Sequence, residues 1–318
     1  MQTGVWVYHG KELGEYGFPN GHPFGPGRQA CFWEALCRQG LDQRCTVRAP
    51  VMASQEQIER FHTHEYVERV KRYSATGTGY LDAGDTPAFP GVYEAAAYVV
   101  GSALDAMGGI MQRKCQTAFV PIAGLHHAAR RGAAGFCVFN DCGVVIETLR
   151  QHHRLARIAY VDIDAHHGDG VCYGFIDQPG VWIADIHEDG RYLYPGTGRA
   201  DETGDGTARG TKLNLPMQPG SGDQEFKMAW TKVETFIHQA RPEFIVLQCG
   251  VDSLAGDPLT HLGFSEQSHY HAALRLTALA KEYAQGRLLA VGGGGYAPEN
   301  IARGWTAVVK ALIESAHG

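Results

Sequence analysis

Apolar residues in the second two-thirds of the chain fall into two alternating patterns. Short β-branched runs of four to six residues alternate with longer amphipathic segments of helical periodicity. Such runs are typical of strands buried on both faces, and their alternation with helices is typical of a parallel sheet. The predicted strands are residues 117–121, 157–162, 181–186, 243–248 and 287–291. The predicted helices are residues 141–152, 223–239, 265–283 and 298–315.

The first third of the chain shows helices more clearly than strands. Ser54 and Gln57 have the spacing of a capping box and stand directly ahead of Ile58 and Phe61. The Ala-rich segment 92–111 predicts a long buried helix. No linker, repeat or low-complexity tract interrupts the pattern, so one domain over residues 1–318 is expected. The predicted fold class is α/β, a mostly parallel central sheet with helices on both faces.

Composition excludes several function classes. The 318 residues carry a net charge of −6 and no Lys or Arg run, which argues against a nucleic-acid partner and suits a cationic substrate. The longest apolar stretch, residues 95–104, is too short to span a bilayer, and the N-terminus lacks the pattern of a secretion signal. Eight scattered cysteines without a CxxC pair are typical of reduced thiols, so we expect a cytoplasmic protein. Oligomeric state is not predicted.

Chemically unusual residues follow four of the predicted strands, where ligands bind in open α/β sheets. Asp162, Asp164 and His166 alternate at the end of one strand, and Asp252 follows another. A catalytic zinc site takes three protein ligands and one open position. We therefore predict that Asp164, His166 and Asp252 bind Zn²⁺. The alternative is that the aspartates are turn residues and His166 is a core histidine. The run DIDAHHGDG as a whole favours the metal site over this alternative.

A second group of residues has the chemistry of proton transfer. The tandem His126 and His127 follow a strand, and histidine titrates near neutral pH. Two carboxylates of the metal motif, Asp162 and Asp169, are free to orient them. Tyr296 follows four glycines, which lack the spacing of a phosphate-binding loop and allow a close backbone approach.

The chain resembles the histone deacetylase superfamily, which includes acetylpolyamine amidohydrolases and acetoin-utilisation proteins. The resemblance rests on GLHHAARRGAAGFCVFND, YVDIDAHHGDG, RYLYPGTG, QCGVDSLAGDP and GGGGY, in family order from about residue 120 to 300, with weaker motifs upstream. It implies an arginase-deacetylase fold and the zinc ligands named above. It also implies a catalytic histidine pair with Asp162 and Asp169 as partners, and a tyrosine, Tyr296, that polarises the acetyl carbonyl.

Further residues are assigned by the same resemblance. The implied substrate-binding residues are Asp85 at the rim and Gly135, Phe136, Tyr194 and Leu259 in the acyl tunnel. An inner potassium site is implied around the carbonyls of residues 162, 164 and 166, but Asp185 stands where many relatives have serine. The Gly/Pro-rich residues 14–28 are expected to form a loop beside the tunnel entrance.

The predicted reaction is zinc-dependent removal of an acetyl group from an amine. The substrate is an acetylpolyamine or another small acetyl-amine, with protein acetyl-lysine as the alternative. An arginase-like ureohydrolase needs extra carboxylates for a second metal, but Gly168 and Leu254 occupy the relevant positions. A protein that binds acetyl groups without catalysis is the remaining alternative, and it conflicts with the complete set of catalytic residue types.

Overall fold

A single eight-stranded parallel sheet forms the centre of the computed structural model, which describes residues 4–316. Its spatial order is β2-β1-β3-β8-β7-β4-β5-β6. Every strand pair is parallel. The strands are β1 (Val5–Tyr8), β2 (Thr46–Arg48), β3 (Thr117–Val120), β4 (Ile158–Asp162), β5 (Val181–Glu188), β6 (Lys212–Met217), β7 (Phe244–Gln248) and β8 (Leu288–Val291).

Ten α-helices connect and cover the strands among the described residues. They are α1 (Lys11–Gly14), α2 (Arg28–Arg38), α3 (Gln55–Ile58), α4 (His64–Thr76), α5 (Val92–Met111), α6 (Asp141–Gln151), α7 (Asp169–Gly174), α8 (Asp223–Ala240), α9 (Glu266–Tyr283) and α10 (Pro298–Ala316). All residues of β3, β4, β7 and β8 are buried. Because successive strand residues point to opposite faces, helices must cover both faces of the sheet.

The predicted α/β class is confirmed, and the sheet is parallel throughout rather than mostly so. The five predicted strands and five predicted helices all form, with ends that differ by at most two residues. The long helix over 92–111 and the Ser54 capping box form as expected. The predicted domain limits at residues 1 and 318 lie outside the described residues.

Three strands were not predicted. The central strands are continuous apolar runs, whereas β2 is three largely exposed residues and β6 has the sequence KLNLPM, with a lysine and a proline. Both lie at the edges of the sheet, where such residues are tolerated. The short β1 was missed because four apolar residues near a terminus carry no periodic signal.

The strand order brings the predicted site residues to one edge of the sheet. Strands β3, β8, β7 and β4 are consecutive neighbours in the middle of the sheet. Parallel strands end at one edge, so the segments that follow these four strands meet there. The segments carry His126 and His127, Tyr296, Asp252, and the run from Asp162 to Asp169, respectively.

Replacement of Ser54 by alanine tests the local basis of one helix start. The Ser54 hydroxyl accepts the Gln57 N–H at 3.2 Å, and the Gln57 side chain accepts the Ser54 N–H at 2.8 Å. Ser54→Ala should lower the free energy of unfolding by about 1 kcal/mol in urea denaturation. Thr76→Ala, which removes a hydroxyl at the exposed end of α4, should change it by less than about 0.5 kcal/mol. Equal effects would contradict the capping role.

Candidate active site

Two carboxylates and one imidazole meet at the ends of β4 and β7. The ligand atoms of Asp164, His166 and Asp252 all lie within 4.8 Å of one another, and the three residues are buried. His166 Nδ1 is 3.2 Å from Asp164 Oδ1 and 3.0 Å from Asp252 Oδ2. No other group of this kind was found among residues 4–316. The three predicted metal ligands therefore form one cluster that can hold a metal ion.

The cluster is short of positive charge. Burial and the neighbouring Asp164 carboxylate raise the pKa of Asp252 to about 7. Two carboxylates thus share a single imidazole in a site from which water is largely excluded. A divalent cation would stabilise both ionised carboxylates, and one nitrogen with two oxygens is a donor set that zinc accepts. The residues present fit a single zinc ion.

The glycine run after β8 approaches this cluster closely. Gly294 N–H donates to Asp164 Oδ2 at 2.8 Å. A Cβ at position 294 would lie 2.2 Å from Asp252 Oδ2, so a side chain has no room there. Two residues later, the half-buried Tyr296 ring lies 6.5 Å from the His166 ring, centroid to centroid. Burial and the Asp252 carboxylate raise the pKa of Tyr296, so the phenol keeps its proton.

The tandem histidines lie beside the cluster, each against its own carboxylate. His126 Nδ1 is 2.8 Å from Asp162 Oδ2, and His127 Nδ1 is 2.7 Å from Asp169 Oδ1. The two Nε2 atoms face each other at 3.1 Å. The predicted pairing of each histidine with its aspartate is therefore present in the structure.

The two histidines have opposite electrostatic environments. Burial lowers the pKa of His126, but the Asp162, Asp164 and Asp185 carboxylates together outweigh this effect and raise that pKa to about 10. Burial and the His126 charge lower the pKa of His127 to about 4. Asp162 has no exposed surface, whereas the Asp169 side chain is 21% exposed. Neighbouring groups whose pKa values are driven apart are typical of acid–base sites.

Residues that hold the histidine turn were not singled out from the sequence. Asp141 accepts the N–H groups of Gly124 and Leu125 at 2.9–3.0 Å, and the Asn140 amide donates to the carbonyls of His126 and Ala128. Asn140 also caps α6, so one Asn-Asp pair starts the helix and fixes the turn. Asn directly before a predicted helix was the available signal.

Gln248 is a second unpredicted contributor, at the end of β7. Its amide nitrogen donates to Asp164 Oδ2 at 2.8 Å and to the Gly124 carbonyl at 3.2 Å. Its amide oxygen accepts the Gly250 N–H at 2.8 Å. Gln248 thereby joins the segments after β3, β4 and β7, a role that no local sequence pattern indicates.

Three of the predicted tunnel residues lie close to His127 or Tyr296. The Tyr194 ring lies 5.2 Å from the His127 ring, and the Phe136 ring lies 5.9 Å from the Tyr296 ring. A Cβ at Gly135 would lie 2.5 Å from His127 Cδ2, which places its backbone against the same imidazole. The fourth, Leu259, is linked to Tyr296 because Asp257 accepts the N–H groups of both.

The predicted rim residue Asp85 is exposed and belongs to a loop that contacts Phe136. Partial burial and the hydrogen bond with Asp82 raise the pKa of Asp85 to about 6. The neighbouring Thr86 hydroxyl accepts the Phe136 N–H at 3.1 Å. Asp85 therefore lies near the aromatic wall, although its binding role stays a prediction.

The segment between α1 and α2 lies against the same wall. The Tyr16 hydroxyl donates to the Phe136 carbonyl at 2.7 Å, and the His22 ring lies 4.5 Å from the Phe136 ring. His22 Nδ1 accepts the Phe24 N–H, so its Nε2–H donates to the Asp85 carbonyl at 3.0 Å. This segment falls within residues 14–28 and contacts Phe136 and Asp85, and its place beside a tunnel entrance stays a prediction.

Asp185 on β5 pairs in register with Asp162 on β4. Its Oδ1 is 2.7 Å from His187 Nδ1, and its Oδ2 accepts the Gly168 N–H at 2.9 Å. Both carboxylate oxygens thus have protein partners. The potassium site near this position stays a prediction.

The histone deacetylase domain family matches residues 22–312, nearly the whole chain. The chain belongs to the histone deacetylase family. It is 36% identical over 304 residues to the acetoin utilization protein AcuC of Bacillus subtilis strain 168, covering 93% of this chain and 78% of that protein. It is 32% identical over 314 residues to the histone deacetylase clr6 of Schizosaccharomyces pombe strain 972, covering 95% and 75%.

A solved structure of the family shares the fold. The HDA15 HD domain superposes with a TM-score of 0.92 and 26% identity, covering 99% of this chain and 89% of that one. The family resemblance and the histone deacetylase fold are therefore confirmed. Among the described residues, no helix is both long and apolar enough to cross a bilayer. All eight cysteines lie in the described part of the chain and are free thiols.

Metal analysis of two matched variants tests the ligand set. Asp252→Asn should lose the metal because an amide is a much weaker zinc ligand than a carboxylate. Asp257→Asn is the control, since Asp257 is a nearby, largely buried carboxylate outside the cluster. After zinc loading and dialysis, we expect about one zinc per chain in the wild type and Asp257→Asn, and almost none in Asp252→Asn. Equal zinc content in the two variants would refute the assignment.

Proposed function

We propose that the protein is a zinc-dependent deacetylase that cleaves acetyl groups from amines and releases acetate and the free amine. The observation that carries this proposal is the convergence of three features: a buried Asp-His-Asp cluster, two oppositely tuned His–Asp pairs and a protonated tyrosine. Membership in the histone deacetylase family supports the same reaction class.

Asp164, His166 and Asp252 would hold the zinc ion. A zinc ion there supplies a Lewis acid that polarises a carbonyl and lowers the pKa of water. The three side chains offer few enough donors to leave a position for substrate. Gln248 and the Gly294 amide, both bonded to Asp164 Oδ2, keep that carboxylate in place.

The remaining residues move protons and stabilise charge. His127 is neutral at pH 7 and its Nδ1 is held by Asp169, so its Nε2 takes the proton from the attacking water, which replaces the 3.1 Å contact with His126 Nε2. The Tyr296 hydroxyl donates to the oxygen that becomes negative in the tetrahedral intermediate. The imidazolium formed on His127 then returns its proton to the leaving amine. His126, kept cationic by Asp162, stabilises the negative transition state without transferring a proton.

A small cationic acetyl-amine, such as an acetylpolyamine, is the proposed substrate. The exposed carboxylate of Asp85 at the predicted rim and the net charge of −6 support a cationic ligand. Phe136 and Tyr194 supply aromatic faces that hold an alkyl chain and attract a cation. Protein acetyl-lysine is the second candidate, supported by the similarity to the histone deacetylase clr6. The cytoplasm is the proposed location, supported by the free cysteines.

A binuclear ureohydrolase is less well supported. Gly168 and Leu254 supply no carboxylate for a second metal ion. A Cβ at position 168 would lie 2.7 Å from Asp162 Oδ2, so a larger side chain there would displace the His126–Asp162 pair. A binder without activity would have no need for two differently tuned histidines beside the cluster.

Removal of the Tyr296 hydroxyl tests the oxyanion donor. Loss of one such donor costs on the order of a hundredfold in kcat, so Tyr296→Phe should be at least tens of times slower. It should keep its zinc, because Tyr296 is not a ligand. Tyr192→Phe is the control, since Tyr192 is an exposed tyrosine outside the proposed set. Unchanged turnover in Tyr296→Phe would refute the donor role.

Acetate release from a substrate panel tests the function itself. The zinc-loaded protein would be assayed with acetylputrescine, acetylcadaverine, acetylspermidines and acetyl-lysine peptides. We expect hydrolysis, with kcat/KM for the small amines at least about a hundredfold higher than for peptides. The reverse preference would select the acetyl-lysine candidate. Full zinc content without hydrolysis of any compound would refute the deacetylase proposal.

A further inference from the structure

The loop after β5 carries Tyr194 across the site. Residues 189–199 leave the carboxyl end of β5, and the Tyr194 ring reaches within 5.2 Å of the His127 ring and 6.4 Å of the His166 ring, centroid to centroid. Tyr194 itself is 45% exposed. An exposed ring on a loop needs an anchor elsewhere if its position is to be fixed.

Two buried histidines outside the proposed catalytic set contact the far end of this loop. His187 Nε2 is 2.9 Å from the Gly198 carbonyl oxygen, and His167 Nδ1 is 2.8 Å from the Thr197 hydroxyl. His187 has no exposed surface, and His167 has 1%. These contacts join the loop to strand β5 and to the segment that follows β4.

His187 must donate from both ring nitrogens. Its Nε2 faces the Gly198 carbonyl, and its Nδ1 faces Asp185 Oδ1 at 2.7 Å; both of these oxygens are acceptors. Burial lowers the pKa of His187, but the Asp185 carboxylate and the hydrogen bond to the Gly198 carbonyl, with a smaller effect of Asp162, together outweigh burial and leave that pKa above its ordinary value. Asp185 thus lets one imidazolium hold strand β5 and the loop at once.

Gly198 is in close contact with the rings of His187 and His167. Its φ is +83°, and a Cβ there would lie 2.5 Å from His187 Nε2 and 2.6 Å from His167 Cγ. A side chain at this position would have to push the loop away from both histidines. The close contact therefore depends on glycine for conformation and for space.

We propose that His187, held by Asp185, is a positioning residue that fixes Tyr194 at the tunnel wall through Gly198. The proposal rests on the deacetylase function proposed above, because Tyr194 is assigned to the substrate tunnel. It explains why a buried carboxylate at position 185 is compatible with the fold. It also gives His167, which contacts Thr197 in the same loop, a role outside proton transfer.

Gly198→Ala is the direct test, with Gly210→Ala as the matched control. Gly210 has nearly the same backbone conformation, φ +86°, but no heavy atom within 4 Å of an added Cβ. Loss of a substrate wall weakens ground-state binding, so Gly198→Ala should raise KM for the best acetyl-amine at least about fivefold with kcat within about twofold. A merely structural defect would reduce the active fraction and lower kcat at unchanged KM. Gly210→Ala should leave both constants unchanged.

A double-mutant cycle identifies Tyr194 as the group through which the anchor acts. In a Tyr194→Ala background, Gly198→Ala should produce no further increase in KM, because the wall is already absent. Full additivity of the two effects would overturn the proposal. Asp185→Asn, which removes the charge at constant size, should raise KM in the same way, and it provides the test if Gly198→Ala does not fold.

Hydrogen exchange separates this proposal from the deacetylase function. The Tyr192 and Leu193 amides donate to the Asp189 carbonyl within the loop. Their exchange should be faster in Gly198→Ala and Asp185→Asn than in the wild type, and unchanged in Gly210→Ala. This result would support the anchor even if the wild type hydrolysed no acetyl-amide. Unchanged exchange of these amides in both Gly198→Ala and Asp185→Asn would overturn the proposed role of His187.

Discussion

Burial of negative charge is the constraint on which the rest of this structure depends. Asp162, Asp164, Asp185 and Asp252 have no exposed surface, and an unpaired buried carboxylate costs roughly several kcal/mol. Two of them have a histidine each, His126 for Asp162 and His187 for Asp185. Asp164 and Asp252 share His166. These four carboxylates thus share hydrogen bonds with three imidazoles, and the two that share one imidazole are the pair where a metal ion fits.

The same constraint separates the roles of neighbouring groups. His126 faces a fully buried carboxylate and keeps a positive charge, and that charge helps to keep His127 neutral. Asp169, the partner of His127, is partly exposed, so it orients the ring with less electrostatic effect. One tandem pair of identical residues thus provides one charged and one neutral imidazole. The difference arises from burial and from the partners, not from the residues themselves.

Much of this architecture was predictable because its signals are local. Buried parallel strands are continuous apolar runs, and the residues after four of them carry most of the site, so the cluster of Asp164, His166 and Asp252 followed from strand ends alone. Edge strand β6 departs from that pattern and was missed. The support supplied by Asp141 and Gln248 was also missed, because their hydrogen bonds join segments 16 to 124 residues apart. A pattern in one stretch of sequence does not show which distant backbone group a side chain will meet.

The segment that packs against Phe136 comes from a part of the chain far from the metal-binding cluster. Tyr16 and His22 lie between α1 and α2, more than a hundred residues before His126, and their hydrogen bonds reach the backbone of Phe136, Val138 and Asp85. They contribute no bond to the cluster of Asp164, His166 and Asp252. Exposed positions of this segment, such as Asn20 and Gly21, can therefore change while the cluster stays in place, whereas the buried Tyr16 and Phe24 are fixed by their packing. One metal-binding cluster can in this way be retained in proteins that differ in the segment beside it.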